Sequence, residues 1–191
     1  LFGAWGGLGA LSGYEDGPPV EMRHVMDHTV GMNAAVAVVA ALHRRRTTGQ
    51  GSHVDVAARE VAASLIGDAL LLAAAGGEPR RIRNDNARMA PHGVYTAQGE
   101  DRWIAIAVKN DGQWQAFCQV AGIASDARFA LEAGRYEYRR ELDALVSAWT
   151  VTLPAEVAAQ RLQAVGVAAH ASWTTPEIAA APHLRARRAI I

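Results

Sequence analysis

The chain has 191 residues, half of them hydrophobic and 20% charged, with 19 basic and 19 acidic side chains. A compact chain of that length buries roughly 70% of its unfolded surface and needs no disulfide or metal to hold a core. Zero formal net charge speaks against nucleic-acid binding by bulk electrostatics. The single cysteine, Cys118, leaves no internal disulfide or Cys-rich zinc module and suits a reducing, cytoplasmic setting.

The uninterrupted apolar run Ala34 to Leu42 stops at His43 and Arg44, short of the roughly 20 residues that cross a bilayer, so no transmembrane helix is expected. The opening Leu1-Phe2-Gly3-Ala4-Trp5 has neither an initiator Met nor a basic n-region, and is expected to belong within a longer chain.

Residues 1–20, rich in glycine and closing on Asp16-Gly17-Pro18-Pro19, read as a loop ending in a turn. The spacing of Val30, Ala34, Val38, Ala41 and Leu42 predicts a helix over 29–46, with Asp27, His28 or Thr29 as its cap and three arginines at its end. Thr47 to Gly51 breaks that helix. Val54-Asp55-Val56 alternates like a short strand, and an Ala- and Leu-rich helix runs from Ala57 toward Gly76-Gly77. Between Glu78 and Pro91 the composition turns to Arg, Asn, Asp and Pro, a domain boundary or flexible loop.

Gly93 to Ala97 and Trp103 to Val108 read as two strands of an antiparallel hairpin across Gln98-Gly99-Glu100-Asp101. A helix over 111–120 follows, capped by Asn110, with Trp114, Phe117 and Cys118 on one face. Further helices are predicted over 138–149 and 155–164, the second entered at Thr152 or Pro154 and left at Gly166. Val167 to Trp173 reads as a third strand, and Thr175-Pro176-Glu177 opens a last short helix.

The seven histidines form no His-Glu-x-x-His pair and have no cysteine cluster to join, so no metal site is expected. Ser12, Ser52 and Ser64 lie in no Gly-x-Ser-x-Gly elbow. The glycine loop 47–51 is either a loose phosphate cradle or a helix terminator. Arg44, Arg45 and Arg46 suit the negative end of a helix, whereas Arg80, Arg81, Arg83 and Arg88 either face an anionic ligand or line a solvated loop. Asp27, at the start of a long helix whose open N–H groups attract an anion, is a cap or a nucleophile and base.

The order of the motifs resembles the family III CoA-transferases, the group that includes the alpha-methylacyl-CoA racemases. They run from Asp16-Gly17-Pro18-Pro19 with Asp27 and Gly31 to Thr48-Gly49-Gln50-Gly51 and Val54-Asp55-Val56. Ala90-Pro91-His92-Gly93-Val94-Tyr95, Trp103 to Asp111 and Gln113-Trp114 follow, then Gly166-Val167 and Pro182-His183-Leu184 with Arg187. The resemblance implies that Asp27 is the catalytic carboxylate. In a transferase it attacks an acyl-CoA thioester and carries CoA to an acceptor carboxylate through an anhydride and an aspartyl-CoA thioester; in a racemase it pairs with a histidine to move a proton. A non-catalytic binding or assembly module, with Asp27 a simple cap, is the third reading.

The resemblance also implies an α/β fold: part of a Rossmann-like large domain over 1–60 carrying Asp27, a connecting helix over 61–78, a smaller α+β domain over 79–174 and the start of a return linker over 175–191. It implies an interlocked homodimer, CoA as a substrate moiety with no permanently bound cofactor, and acyl-CoA and a carboxylic acid as partners, with no nucleic acid or membrane. Which residues contact CoA is not legible. The family's loop commonly reads Gly-Asn where this chain has Arg83-Asn84, and an Asp-Pro pair is replaced by Ala181-Pro182.

Overall fold

A computed structural model describes residues 2–20 and 25–189. The approach to Asp27 over 21–24 and the last two residues of the expected return linker lie outside the described residues. The chain forms two compact units, 1–83 and 84–191.

The first unit is helical among its described residues: α1 (Phe2–Trp5), α2 (Leu8–Leu11), α3 (Val25–Thr48), α4 (Ala58–Ser64) and α5 (Gly67–Ala74). Over 2–11 the glycine-rich start is therefore largely two short helices and not the expected loop, whereas 12–20 is irregular, with a turn closed by the Gly17 N–H on the Tyr14 carbonyl at 3.2 Å. Its glycines allow a close approach. A Cβ on Gly6 would lie 2.3 Å from the Ala62 Cβ and 2.9 Å from the Arg59 carbonyl oxygen, so only a bare backbone passes over α4 there. Met26, Val61 and Ala62 form the small core, with Leu8, Val30 and Val56 packed against it.

Two further expectations fail in this unit. The helix predicted from Ala57 to Gly76 is broken at Leu65 and Ile66, where the Ser64 hydroxyl bonds back to the Val61 carbonyl at 2.7 Å and Gly67 follows. Val54-Asp55-Val56 is irregular, because no strand lies beside it among the described residues to accept a ladder.

Helix α3 also exceeds its expected bounds. It runs 24 residues, is apolar on every side over Ala34 to Leu42, and buries only Met26. Its best 18-residue window has a mean hydropathy of 1.5, so by length and composition alone it is long and apolar enough to cross a membrane. Counting an uninterrupted apolar run missed this, since Thr29, Gly31 and Asn33 interrupt the run without ending the helix.

The second unit is a sheet covered on one face by helices. Strands β1 (His92–Thr96), β2 (Trp103–Ala107) and β3 (Ala168–Ala171) lie in the order β1-β2-β3, each pair antiparallel. His92 pairs with Ala107 and Ala107 with Ala168; Val94 pairs with Ala105 and Ala105 with His170. The period of two sends Tyr95, Ile104, Ile106, Ala169 and Ala171 into the core. There they meet Phe117 of α6 (Asp111–Ala121), Leu142 and Val146 of α8 (Arg139–Thr150) and Leu162 of α9 (Ala155–Ala164).

Local chemistry explains the ends of these elements. The Asn110 side chain accepts the Gln113 N–H at 2.9 Å to start α6, and Gly122 ends it in the left-handed region. Between α6 and α8 stand a 3-10 turn (Ala127–Phe129) and α7 (Glu132–Glu137), neither foreseen. After β3 come α10 (Thr175–Ala180) and α11 (Pro182–Ala186). Thr174, one residue before the expected start at Thr175, donates its backbone N–H and hydroxyl to Glu177 at 2.7 and 2.8 Å.

Candidate active site

Asp27 stands in the first turn of α3, with its side chain exposed beside the buried Met26. Val25 is already helical, so the cap position falls among the residues outside the description, and Asp27 is within the helix and not its cap. Two residues on, the Thr29 hydroxyl donates to the Val25 carbonyl at 2.7 Å. The position is open to a ligand and sits at the end of the helix where anions are favoured.

The glycine loop after α3 behaves as a terminator. Gly49 adopts φ 73° and its N–H closes on the Arg45 carbonyl at 2.8 Å, while Arg44 donates to the Ser52 hydroxyl at 2.8 Å. The loop arginines are largely engaged. Arg81 donates to the carbonyls of Ala10 at 3.1 Å and Tyr14 at 3.3 Å and to that of Gly17, tying the 10–17 segment down. Arg83 stacks over the Tyr14 ring and pairs with Asp16, and Arg80 pairs with Glu78 in solvent.

The segment that opens the second unit is gripped by two arginines absent from the sequence-level reading. Arg135 is fully buried, and its guanidinium donates to the carbonyls of Ala90 at 2.7 Å and Phe129 at 3.1 Å. Its Nη2 lies 2.9 Å from the Asp111 carboxylate, a charge contact off the hydrogen-bond direction. One turn later, Arg139 pairs with Asp85 at 3.0 Å, donates to the Asn86 carbonyl at 3.0 Å and covers the Tyr136 ring. Both ends of the irregular 85–90 stretch are thus held by arginines of the two consecutive helices α7 and α8, on either side of the non-helical Tyr138.

Other ionisable groups are structural. Burial, then the Asp143 carboxylate, pushes the Tyr95 hydroxyl well above the ordinary tyrosine range; that hydroxyl donates to Asp143 at 2.7 Å. Burial also pushes the Cys118 thiol up, which leaves it a poor nucleophile at neutral pH. The Arg102 side chain, followed by the Thr174 backbone and hydroxyl, pulls Glu177 down to about 2. Among the described residues, no three His, Cys, Asp or Glu side chains come together as a metal site.

Comparison with known proteins then places the chain. It is 32% identical to a succinyl-CoA–D-citramalate CoA-transferase of Chloroflexus aurantiacus, covering 98% of this chain and 48% of that protein. It is 31% identical to an acetyl-CoA:oxalate CoA-transferase of Acetobacter aceti, covering 98% and 49%. The chain thus spans about half the length of these curated relatives. Among solved structures, a CAIB/BAIF family protein from Brucella suis matches with a TM-score of 0.86 and 29% identity over 97% of this chain and 50% of that one. Rv3272 from Mycobacterium tuberculosis, at 24% identity, shares the fold with a TM-score of 0.77 over 98% and 49%. The mixed α/β architecture agrees with these neighbours, and the model of CoA-transferase family III matches residues 1–191: the chain belongs to that family.

Proposed function

We propose that the full-length protein moves CoA from an acyl-CoA donor to a carboxylic acid, with Asp27 as the nucleophile. The observation that carries this reading is Asp27 itself: a solvent-open carboxylate in the first turn of a 24-residue helix. Membership of the family supports it, and so do relatives named as CoA-transferases acting with citramalate and oxalate.

A carboxylate oxygen of Asp27 attacks the thioester carbonyl carbon; the C–S bond breaks and CoA leaves as thiolate, giving an acyl-aspartyl anhydride. The thiolate then attacks the Asp27 carbonyl carbon, forming an aspartyl-CoA thioester and releasing the donor acid as its carboxylate. The acceptor carboxylate attacks this thioester, and the freed thiolate takes the acceptor's acyl carbon, which regenerates Asp27. One thioester is broken and one made, so the sequence needs no external energy source. A carboxylate is a weak nucleophile in bulk water, and a water-poor pocket at a helix start improves both its attack and the stabilisation of the oxyanions. The working unit is an interlocked homodimer in the cytoplasm, without a permanently bound cofactor and without a membrane or nucleic-acid partner.

The test is mass spectrometry of the full-length protein after incubation with acyl-CoA and hydroxylamine. A hydroxamate at Asp27 is expected. An unmodified Asp27 together with deuterium uptake from heavy water beside the thioester would assign a racemase, and silence in both assays a binding or assembly module.

A further inference from the structure

The chain ahead of Asp27 forms a closed loop over 12–20. Its neck is the Val20 N–H on the Ser12 carbonyl at 3.1 Å. Gly13, at φ 112°, lets the two legs of the loop touch: a Cβ there would lie 2.9 Å from the Pro18 carbonyl oxygen and 3.2 Å from the Val20 side chain. None of the residues 12–20 is buried, so apolar packing does not hold this loop in place.

The Arg81 guanidinium holds it instead. Its Nε donates to the Ala10 carbonyl at 3.1 Å, and its Nη1 to the Tyr14 carbonyl at 3.3 Å and to that of Gly17. These nitrogens belong to a rigid planar fork, which the single point charge of an ammonium does not reproduce. The Ala10 carbonyl lies in α2, among the groups that a helix end leaves without a partner. Arg83 adds a second grip, with its guanidinium 5.7 Å from the Tyr14 ring centre and 4.0 Å from the Asp16 carboxylate. It does so from φ 58°, a left-handed backbone that costs a non-glycine residue energy and persists where surrounding contacts fix it.

Two routes lead from this grip to Asp27. Along the chain, Val20 stands seven positions before it. Through packing, the α2 that offers the Ala10 carbonyl also carries Leu8, which packs on the core of Met26, Val61 and Ala62, and Met26 adjoins Asp27. Resting on the reading of Asp27 as nucleophile, we propose that Arg81 is a positioning residue for the transfer. Without touching the substrate, it fixes where the Asp27 carboxylate stands when the thioester arrives. A displacement of about 1 Å at a reacting group costs about a hundredfold in rate.

The test mixes the full-length protein with saturating acyl-CoA, takes samples into hydroxylamine over time and reads the Asp27 hydroxamate by mass spectrometry. Arg81→Ala should lower the rate constant for acylation by about a hundredfold. The final amplitude and the half-saturating acyl-CoA concentration should stay within about twofold of the parent. A merely structural role would lower the amplitude at an unchanged rate constant. Millimolar guanidinium should restore the rate of Arg81→Ala, and ammonium at the same concentration should not. Arg81→Lys keeps the charge without the fork and should lose about tenfold, which carries the test if the alanine variant does not fold. Arg80→Ala should match the parent, since that side chain pairs only with Glu78 in solvent. Hydrogen exchange should show the Gly17 and Val20 amides losing protection in Arg81→Ala. The proposal is overturned if the Arg81 variants acylate at the parental rate, if only the amplitude falls, or if guanidinium and ammonium act alike. It is equally overturned if the two amides keep their protection. A parent that gives no hydroxamate removes the Asp27 nucleophile and this role with it; a reactive parent beside an equally reactive Arg81→Ala removes the role of Arg81 alone.

Discussion

At the scale of single residues, the nucleophilic role proposed for Asp27 can be tested apart from a structural one. It is exposed and lies inside α3, where removing it costs little packing. Asp27→Asn in the full-length enzyme should lower acyl-CoA exchange by at least about a thousandfold, as loss of a covalent nucleophile does, with the melting temperature unchanged within error; equal falls in both would point to a structural role. Glu177 belongs to the opposite class. Arg102 bridges it at 2.9 Å and Glu156 at 2.6 Å, and with Thr174 draws its carboxyl down to about 2 from an ordinary 4.5. A depressed folded value means stability present above the unfolded value and lost as pH falls through the folded one. Glu177→Gln should therefore be less stable than the parent at neutral pH, and the gap should close between about pH 4.5 and about pH 2 in paired urea titrations.

At the scale of elements, the contacts between helices decide more than any one helix does. Gly134 in α7 packs so close to the 3-10 turn that an added Cβ would sit 1.9 Å from the Arg128 carbonyl oxygen. Because the obstacle is backbone, Gly134→Ala must push the two elements apart, at a cost of about 3 kcal/mol in chemical denaturation. A value near zero would mean that α7 does not pack there. The same helix bears Arg135, and the buried guanidinium ties the start of β1 to α6 and α7. Removing one partner of such a buried group is costly because the charge stays behind.

At the scale of the whole molecule, the second unit closes a core around its sheet, whereas α3 leaves apolar side chains in solvent, Val36 at 71% and Val39 at 66% exposure. Solvated apolar faces of this extent mark surfaces that something covers. The chain spans about half of its curated relatives, and the expected cover is the other half of the family fold. Val36→Asp should then cost about 2 kcal/mol or more in the full-length protein, as for a charge placed in a core, and within about 0.5 kcal/mol in the 191-residue chain. Equal effects in both, or flotation with liposomes that Val36→Asp abolishes, would point to a different cover.

The local code was legible where it was self-contained. Helix α9 occupies the predicted span because Pro154 opens it and Gly166, at φ 77°, leaves it. The hairpin register follows from alternation alone, and the Asn110 cap from one side chain and one N–H. The family could be read from motif order, since those residues are strung along the chain itself. Only that resemblance turned Asp27 into a candidate nucleophile; its place at a helix start, taken alone, favours a cap. Tertiary structure decided what no neighbour in sequence dictates: the failure of Val54–Val56 to become a strand without a partner, the grip of Arg135 and Arg139 on the 85–90 stretch, and the placing of His92 and His170 beside one cavity on the open face of the sheet. Each depends on groups brought together across tens of residues, and the free energy of such contacts is invisible until the chain has closed around them.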